Sequence, residues 1–222
     1  MKALASAILV LTFAALAFAA AMIPALRTVV GVALPYAAML IFFVGIAYRV
    51  IRWANAPVPF RIPVTSGQEK SLPWLKSNRI DNPSSRAGAF ARVALEVLIF
   101  RSLFRNTQAE LRQGPRLLYG ENKFLWLAAL AFHWSLLVVL LRHLRFFLAP
   151  VPRLVMVLEG LDAFLQVSAP GLLLSDVVLL AGLLFLLVRR FTNVHVRTIS
   201  LYTDYFALFL LLGIAISGVL MR

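Results

Sequence analysis

The sequence contains no cysteine among its 222 residues. That absence excludes disulfides, covalently attached c-type haem and any cysteine-ligated iron–sulfur cluster held by this chain. Histidine is almost as scarce, with three copies, so a metal centre would rest on His133, His143 or His195. Acidic residues number 9 against 22 basic ones, a formal charge of +13. There is no glycine-rich phosphate loop, no zinc-ligand spacing and no serine or cysteine nucleophile constellation.

What is present is apolar. Hydrophobic residues make up 62% of the chain and the mean hydropathy is +0.89. A soluble domain holds closer to half apolar residues, and here they fall in long uncharged runs. The class is an integral membrane protein. The basic residues flank those runs and fill one long loop, so the charge reads as topology and attraction to anionic lipid, not as nucleic-acid binding.

The expected fold is an all-α integral membrane helix bundle with about five transmembrane helices and a cytoplasmic loop that contains an interfacial helix. Residues 1–52 hold the first two spans, 53–123 the basic loop, and 124–222 three further spans. Residues 3–26 carry no charge, a run longer than the roughly 7–15 residues of a signal-peptide core, so a retained helix is expected over a cleaved leader. A second span over 29–51 ends in Tyr48, Arg49, Arg52 and Trp53, an aromatic and basic border. From Arg49 to Lys123 thirteen Lys/Arg oppose five acids, which places this region in the cytoplasm. Its first part, 56–85, carries Pro57, Pro59, Pro63 and Pro73 and is expected to be extended and turn-rich. Its second part, 86–113, reads as a helix with Phe90, Val93, Val97, Phe100 and Phe104 near one face. Arg86, Arg92, Glu96, Arg101 and Arg105 interrupt it too often for a span, so it is expected on the membrane surface or under a partner.

The span over 124–148 organises the rest. As a helix it covers roughly 37 Å, enough to cross a bilayer. After it, 150–170 is broken by Arg153, Glu159 and Asp162 and reads as an external interfacial segment. Spans over 171–187 and 201–221 follow, joined by a loop holding His195. His133 and His143 lie on the central span, roughly 15 Å apart along its axis and about 80° apart around it. That geometry suits two flat cofactors held by imidazoles from one helix, and haem b fits because imidazole nitrogen is a common axial ligand to haem iron. Histidines in membrane helices also serve as interhelical hydrogen-bond donors, and His143, between Arg142 and Arg145, is placed to snorkel to the headgroups. Spacing alone leaves these readings open. Asp176 and Asp204 sit near helix ends, with pairing to Arg189, Arg190 or Arg197 the default for Asp204.

Several motifs carry a resemblance. The runs PVPFRIP (57–63), GQEKSLPWLKSNRIDNPSS (67–85), LEVLIFRSLFRNT (95–107), GPRLLYG (114–120) and FHWSLLVVLLRHLRFF (132–147) resemble the DsrM family, as does the stretch 199–222. These are haem-b membrane subunits of the Dsr complex of sulfur metabolism, within the wider group of nitrate reductase gamma subunits. The resemblance implies that His133 and His143 each supply one axial ligand to one of two b haems. The family's other ligands lie on a further helix, so the chain is expected to be C-terminally truncated. It further implies menaquinone as substrate, a cytoplasmic iron–sulfur partner similar to heterodisulfide reductase, and other membrane and outer-face subunits. The implied location is the inner membrane of a prokaryote. The quinone site is expected beside a haem, near His143, Arg142 and the outer segment. On this reading the chain is an electron-transfer subunit of an oxidoreductase complex, not a catalyst alone. The alternative is a non-redox membrane anchor for the same complex. A small transporter using Asp176 and Asp204 is a third.

Overall fold

The computed structural model describes residues 1–56, 80, 81, 83, 85–105, 107–112, 116–163 and 172–221. It is an all-α membrane helix bundle, with one two-stranded hairpin as the exception among these residues. Four helices are long and apolar enough to cross a membrane: Lys2–Met22, Pro24–Ala54, Lys123–Phe146 and Tyr202–Leu220. The chain is a multi-pass membrane protein. The fifth expected span, 171–187, is present as the 19-residue helix α8 (Leu174–Thr192). Asp176, Arg189 and Arg190 give it three charges and keep it out of that group.

The residues fall into two compact units, Ile8–Phe90 and Met1–Ala7 with Ala91–Arg222. The first is built from the part of α1 (Lys2–Met22) that follows Ala7, with α2 (Pro24–Thr28) and α3 (Leu34–Ala54). The expected border between its two spans lay near Arg27; the break falls earlier, at Ile23, whose extended backbone (ψ 113°) suits the residue before a proline. Pro24 then opens α2 at its first turn, and Arg27 Nε donates to the Ala21 carbonyl at the end of α1. A π-helical turn (Val29–Ala33) joins α2 to α3 directly before Pro35, absorbing a ring that an unbroken α-helix resists. Along Pro24–Ala54 no residue is buried, and Leu40, Ile41 and Phe42 are all exposed. A helix this long and this apolar is built to cross a membrane.

The second unit has a core. Helix α6 (Lys123–His143, continued by a 3-10 turn Leu144–Phe146) and α10 (Tyr202–Leu220) both pack on α8. Phe132, Leu179, Leu183, Leu187, Tyr205, Leu208 and Leu212 form one buried cluster. Gly182 lets α6 and α8 approach closely: a Cβ there would lie 3.1 Å from Phe132 Cβ and 3.4 Å from the Ala128 carbonyl oxygen. The first residues of α1 join this unit, because Lys2 Nζ donates to the Ser200 carbonyl (2.9 Å) and Ser6 Oγ to that of Tyr202 (2.9 Å).

The single helix expected over 86–113 is not found. Helix α4 (Arg86–Ile99) stops at Phe100, which takes a left-handed conformation (φ 50°), and a short α5 (Arg101–Phe104) follows. Strands β1 (Thr107–Arg112) and β2 (Arg116–Glu121) then form an antiparallel hairpin. The indoles of α6 hold the stop in place: Trp126 Nε1 donates to the Ile99 carbonyl (2.7 Å) and Trp134 Nε1 to that of Leu98 (2.9 Å). Tertiary bonds to the last carbonyls of α4 thus take the place of further helical turns. The expected external segment contains α7 (Arg153–Asp162), packed on α6, and the His195 loop is a short helix, α9 (Val194–Ile199). The expected proline-rich stretch lies mostly outside the described residues.

Candidate functional site

Helix α6 starts on Asn122, whose Oδ1 accepts the Leu125 N–H (3.2 Å). It presents both candidate histidines in the same way. His133 Nδ1 lies 2.7 Å from the Ala129 carbonyl, and His143 Nδ1 lies 2.7 Å from that of Val139. A carbonyl oxygen only accepts, so each Nδ1 carries the proton, and in the neutral ring each Nε2 keeps its lone pair. A backbone acceptor on the far nitrogen is the arrangement that fixes tautomer and orientation in metal-ligating imidazoles. Both residues are exposed within this chain. They therefore fit the role of axial ligands held by the backbone, each offering a free nitrogen.

Their surroundings differ. His133 meets two aromatic edges, with ring centroids 5.0 Å from Phe100 and 4.8 Å from Phe132. His143 touches Phe146 (5.7 Å) and borders a cavity of about 930 Å³ between the ends of α6, α7, α8 and α10. That volume lies within the range of ligand and cofactor pockets. His195 is exposed on α9 and takes no part.

The arginine beside His143 is turned inward. Arg142 is buried, and its Nη1 donates to Asp162 Oδ2 (2.6 Å) and to Ser175 Oγ (3.2 Å). Asp162 accepts in turn from the Ser175 N–H and Oγ, both at 2.6 Å. Arg145 pairs with Glu159 on the exposed side. The two acidic residues that break the 150–170 segment are therefore the partners of the arginines closing α6. The signal available in the sequence was the matched spacing: Arg142 and Arg145 are three apart, as are Glu159 and Asp162.

Asp176 and Asp204 also have structural partners. Each stands in the first turn of its helix, where Asp176 Oδ2 accepts the Leu173 N–H (3.2 Å) and Asp204 Oδ2 that of Leu201 (2.8 Å). A carboxylate there satisfies an orphan donor and favours the positive helix end. Asp176 is buried. Asp204 pairs with Arg190 at 3.6 Å, as expected from its neighbours. Among the described residues no three His, Cys, Asp or Glu side chains converge on a common point.

Comparison with known proteins gives the chain a family. The nitrate reductase gamma subunit model matches residues 88–222, more than half of the chain. A protein of Archaeoglobus fulgidus described as "Hdr-like menaquinol oxidoreductase cytochrome b-like subunit" is 44% identical over 195 residues, covering 86% of this chain and 58% of that protein. A protein of the same description from Archaeoglobus profundus is 44% identical over 194 residues, covering 86% and 57%. The chain thus spans a little over half the length of these curated relatives. No solved structure matches it. On the match across 88–222, the chain belongs to the nitrate reductase gamma subunit family.

Proposed function

We propose that the protein is a membrane cytochrome b subunit passing electrons between the menaquinone pool and a cytoplasmic iron–sulfur partner. His133 and His143 each provide one axial imidazole to one of two b haems. The observation that carries this reading is the shared hydrogen bond from Nδ1 to the carbonyl four residues earlier, which leaves Nε2 of both rings free. Bound haem supplies one-electron oxidation and reduction at its iron. The chain's residues orient the ligands, seat the cofactors in apolar surroundings and hold the charged groups of the α6–α7 junction in fixed pairs. The names of the two Archaeoglobus relatives support the quinone link and a heterodisulfide-reductase-like partner. The loop motifs similar to DsrM support an association with sulfite reduction. The excess of Lys/Arg over 53–123 supports a cytoplasmic loop that docks the partner at a prokaryotic inner membrane, with other membrane and outer-face subunits completing the complex.

The test is a reduced-minus-oxidised visible spectrum with haem quantitation on the complex purified with its partners. His133→Ala and His143→Ala are each expected to lose one haem of about two. The double variant is expected to retain assembly and lose quinol-driven electron flow. Unchanged flow in the double variant would instead establish a non-redox membrane anchor.

A further inference from the structure

Phe100 turns the chain from α4 to α5 in the left-handed region, with φ 50° and ψ 49°. Such a turn suits glycine or asparagine, and for a bulky side chain it is an outlier that the surroundings must hold in place. They hold it from both sides. Trp126 Nε1 and Trp134 Nε1 donate to the Ile99 and Leu98 carbonyls just before the turn, and the Glu96 carboxylate accepts from Ser102 across it. Beyond it, the Phe104 ring meets that of Trp126 at 4.9 Å. A need for a turn alone does not explain a phenylalanine at its apex.

The ring explains it. Phe100 lies 5.0 Å from the His133 imidazole at an interplanar angle of 87°, and Phe132 lies 4.8 Å from it at 77°. Phe132 belongs to the buried core cluster, so His133 stands between one ring set by the core and one set by the corner. Trp126 precedes His133 and Trp134 by seven and eight residues, so all three share the face of α6 on which the corner sits. The bond from Nδ1 to the Ala129 carbonyl ties one edge of the imidazole, and the two near-perpendicular rings resist its rotation about Cβ–Cγ. His143 has the same backbone bond but a single ring, Phe146, beside it at 5.7 Å among the described residues. We propose that Phe100 is a positioning residue: the α4–α5 corner serves to place its ring on His133 and to fix the plane of that imidazole before a cofactor arrives. The plane of His143 is free to adapt. The proposal rests on the reading of both histidines as haem ligands, although the fixing of the ring holds for the haem-free chain as well.

Three variants test it. Phe100→Leu removes the ring and keeps apolar bulk, Phe100→Gly removes the ring and relaxes the backbone, and Phe100→Tyr keeps the ring. Because the backbone is strained in the first and relaxed in the second, a change common to both belongs to the ring. The potential and the low-temperature EPR signal of a ferric haem both respond to how its axial imidazole is turned. Both are read on the purified complex, with the two sites assigned through His133→Ala and His143→Ala. Phe100→Leu and Phe100→Gly are expected to shift the His133 haem and to release it roughly two- to tenfold faster to an excess of haem-free myoglobin, the worth of one aromatic pair. Phe100→Tyr is expected to match wild type, and the His143 haem to stay unchanged throughout. In the full chain prepared without haem and isotope-labelled at histidine, the His133 ring resonances are expected to move in the Leu and Gly variants while those of His143 do not. A His133 haem indifferent to both variants overturns the proposal. Equal shifts at the two haems also overturn it, since they mark general packing. A wild-type complex that holds no haem defeats the ligand reading itself, and His133 resonances that are the same in every variant then overturn the positioning role too.

Discussion

His133 and His143 have identical local chemistry and dissimilar neighbourhoods. Each ring is tied through Nδ1 to a carbonyl of its own helix at 2.7 Å. Around His133 the neighbours are aromatic rings and the pinned end of α4. Around His143 they are a cavity and a network of paired charges. Local sequence thus decides which nitrogen is presented, while distant sequence decides what it is presented to. The His133 side depends on packing, and the His143 side on electrostatic pairing.

That contrast breaks most readily on the charged side. Arg142→Leu leaves Asp162 buried without its cation, and is expected to cost about 3–5 kcal/mol of stability. A steep loss of thermal stability in detergent, restored in part by adding Asp162→Asn, is the outcome to look for. On the packed side the sharpest probe is Gly182→Ala. The new methyl would stand 3.1 Å from Phe132 Cβ, so α6 and α8 must separate by a few tenths of an ångström. Overpacking of this kind is expected to cost about 1–3 kcal/mol, and because Phe132 is the ring beside His133, the ring resonances of His133 should shift before those of His143 do.

The smallest effect concerns Glu96, one turn before the left-handed Phe100. Its carboxylate accepts from Ser102 Oγ (2.6 Å) and from the Ser102 N–H (2.9 Å). The side-chain bond, followed by the backbone bond, holds its pKa below the ordinary 4.5. A depressed folded value stabilises the α4–α5 corner above the unfolded pKa, and that contribution fades as pH falls below 4.5 toward the folded value. The protection of amides across residues 100–104, corrected for their intrinsic exchange rates, should therefore fall slightly on acidification, and Glu96→Gln should remove the dependence. Protection that is indifferent to pH over that range would rule the bond out as a stabiliser.

Much of the fold was legible because membrane spans announce themselves. Long uncharged runs located α1, α3, α6 and α10, and Arg189 and Arg190 marked the last turn of α8. The break at Ile23 was legible too, since Pro24 dictates it, although Arg27 drew the expected border a few residues late. The corner at Phe100 was not. Residues 86–113 have a helical pattern throughout, and what ends the helix is a pair of indoles 27 and 36 residues further on. The candidate site divides in the same way. The histidines stood out by rarity and spacing. The inward turn of Arg142 was not legible, because it depends on pairing with Asp162, 20 residues away.

The hydrogen bonds of Lys2 and Ser6 have a consequence for biogenesis. They link residues 198 and 196 positions apart, between the opening turns of α1 and the junction that starts α10. Translation starts at the Lys2 end, so these partners do not exist until some two hundred residues have been made. Until then the opening turns of α1 lack these two acceptors, and the long-range closure must wait for the start of α10. The first turns of the chain thus find these partners late in synthesis.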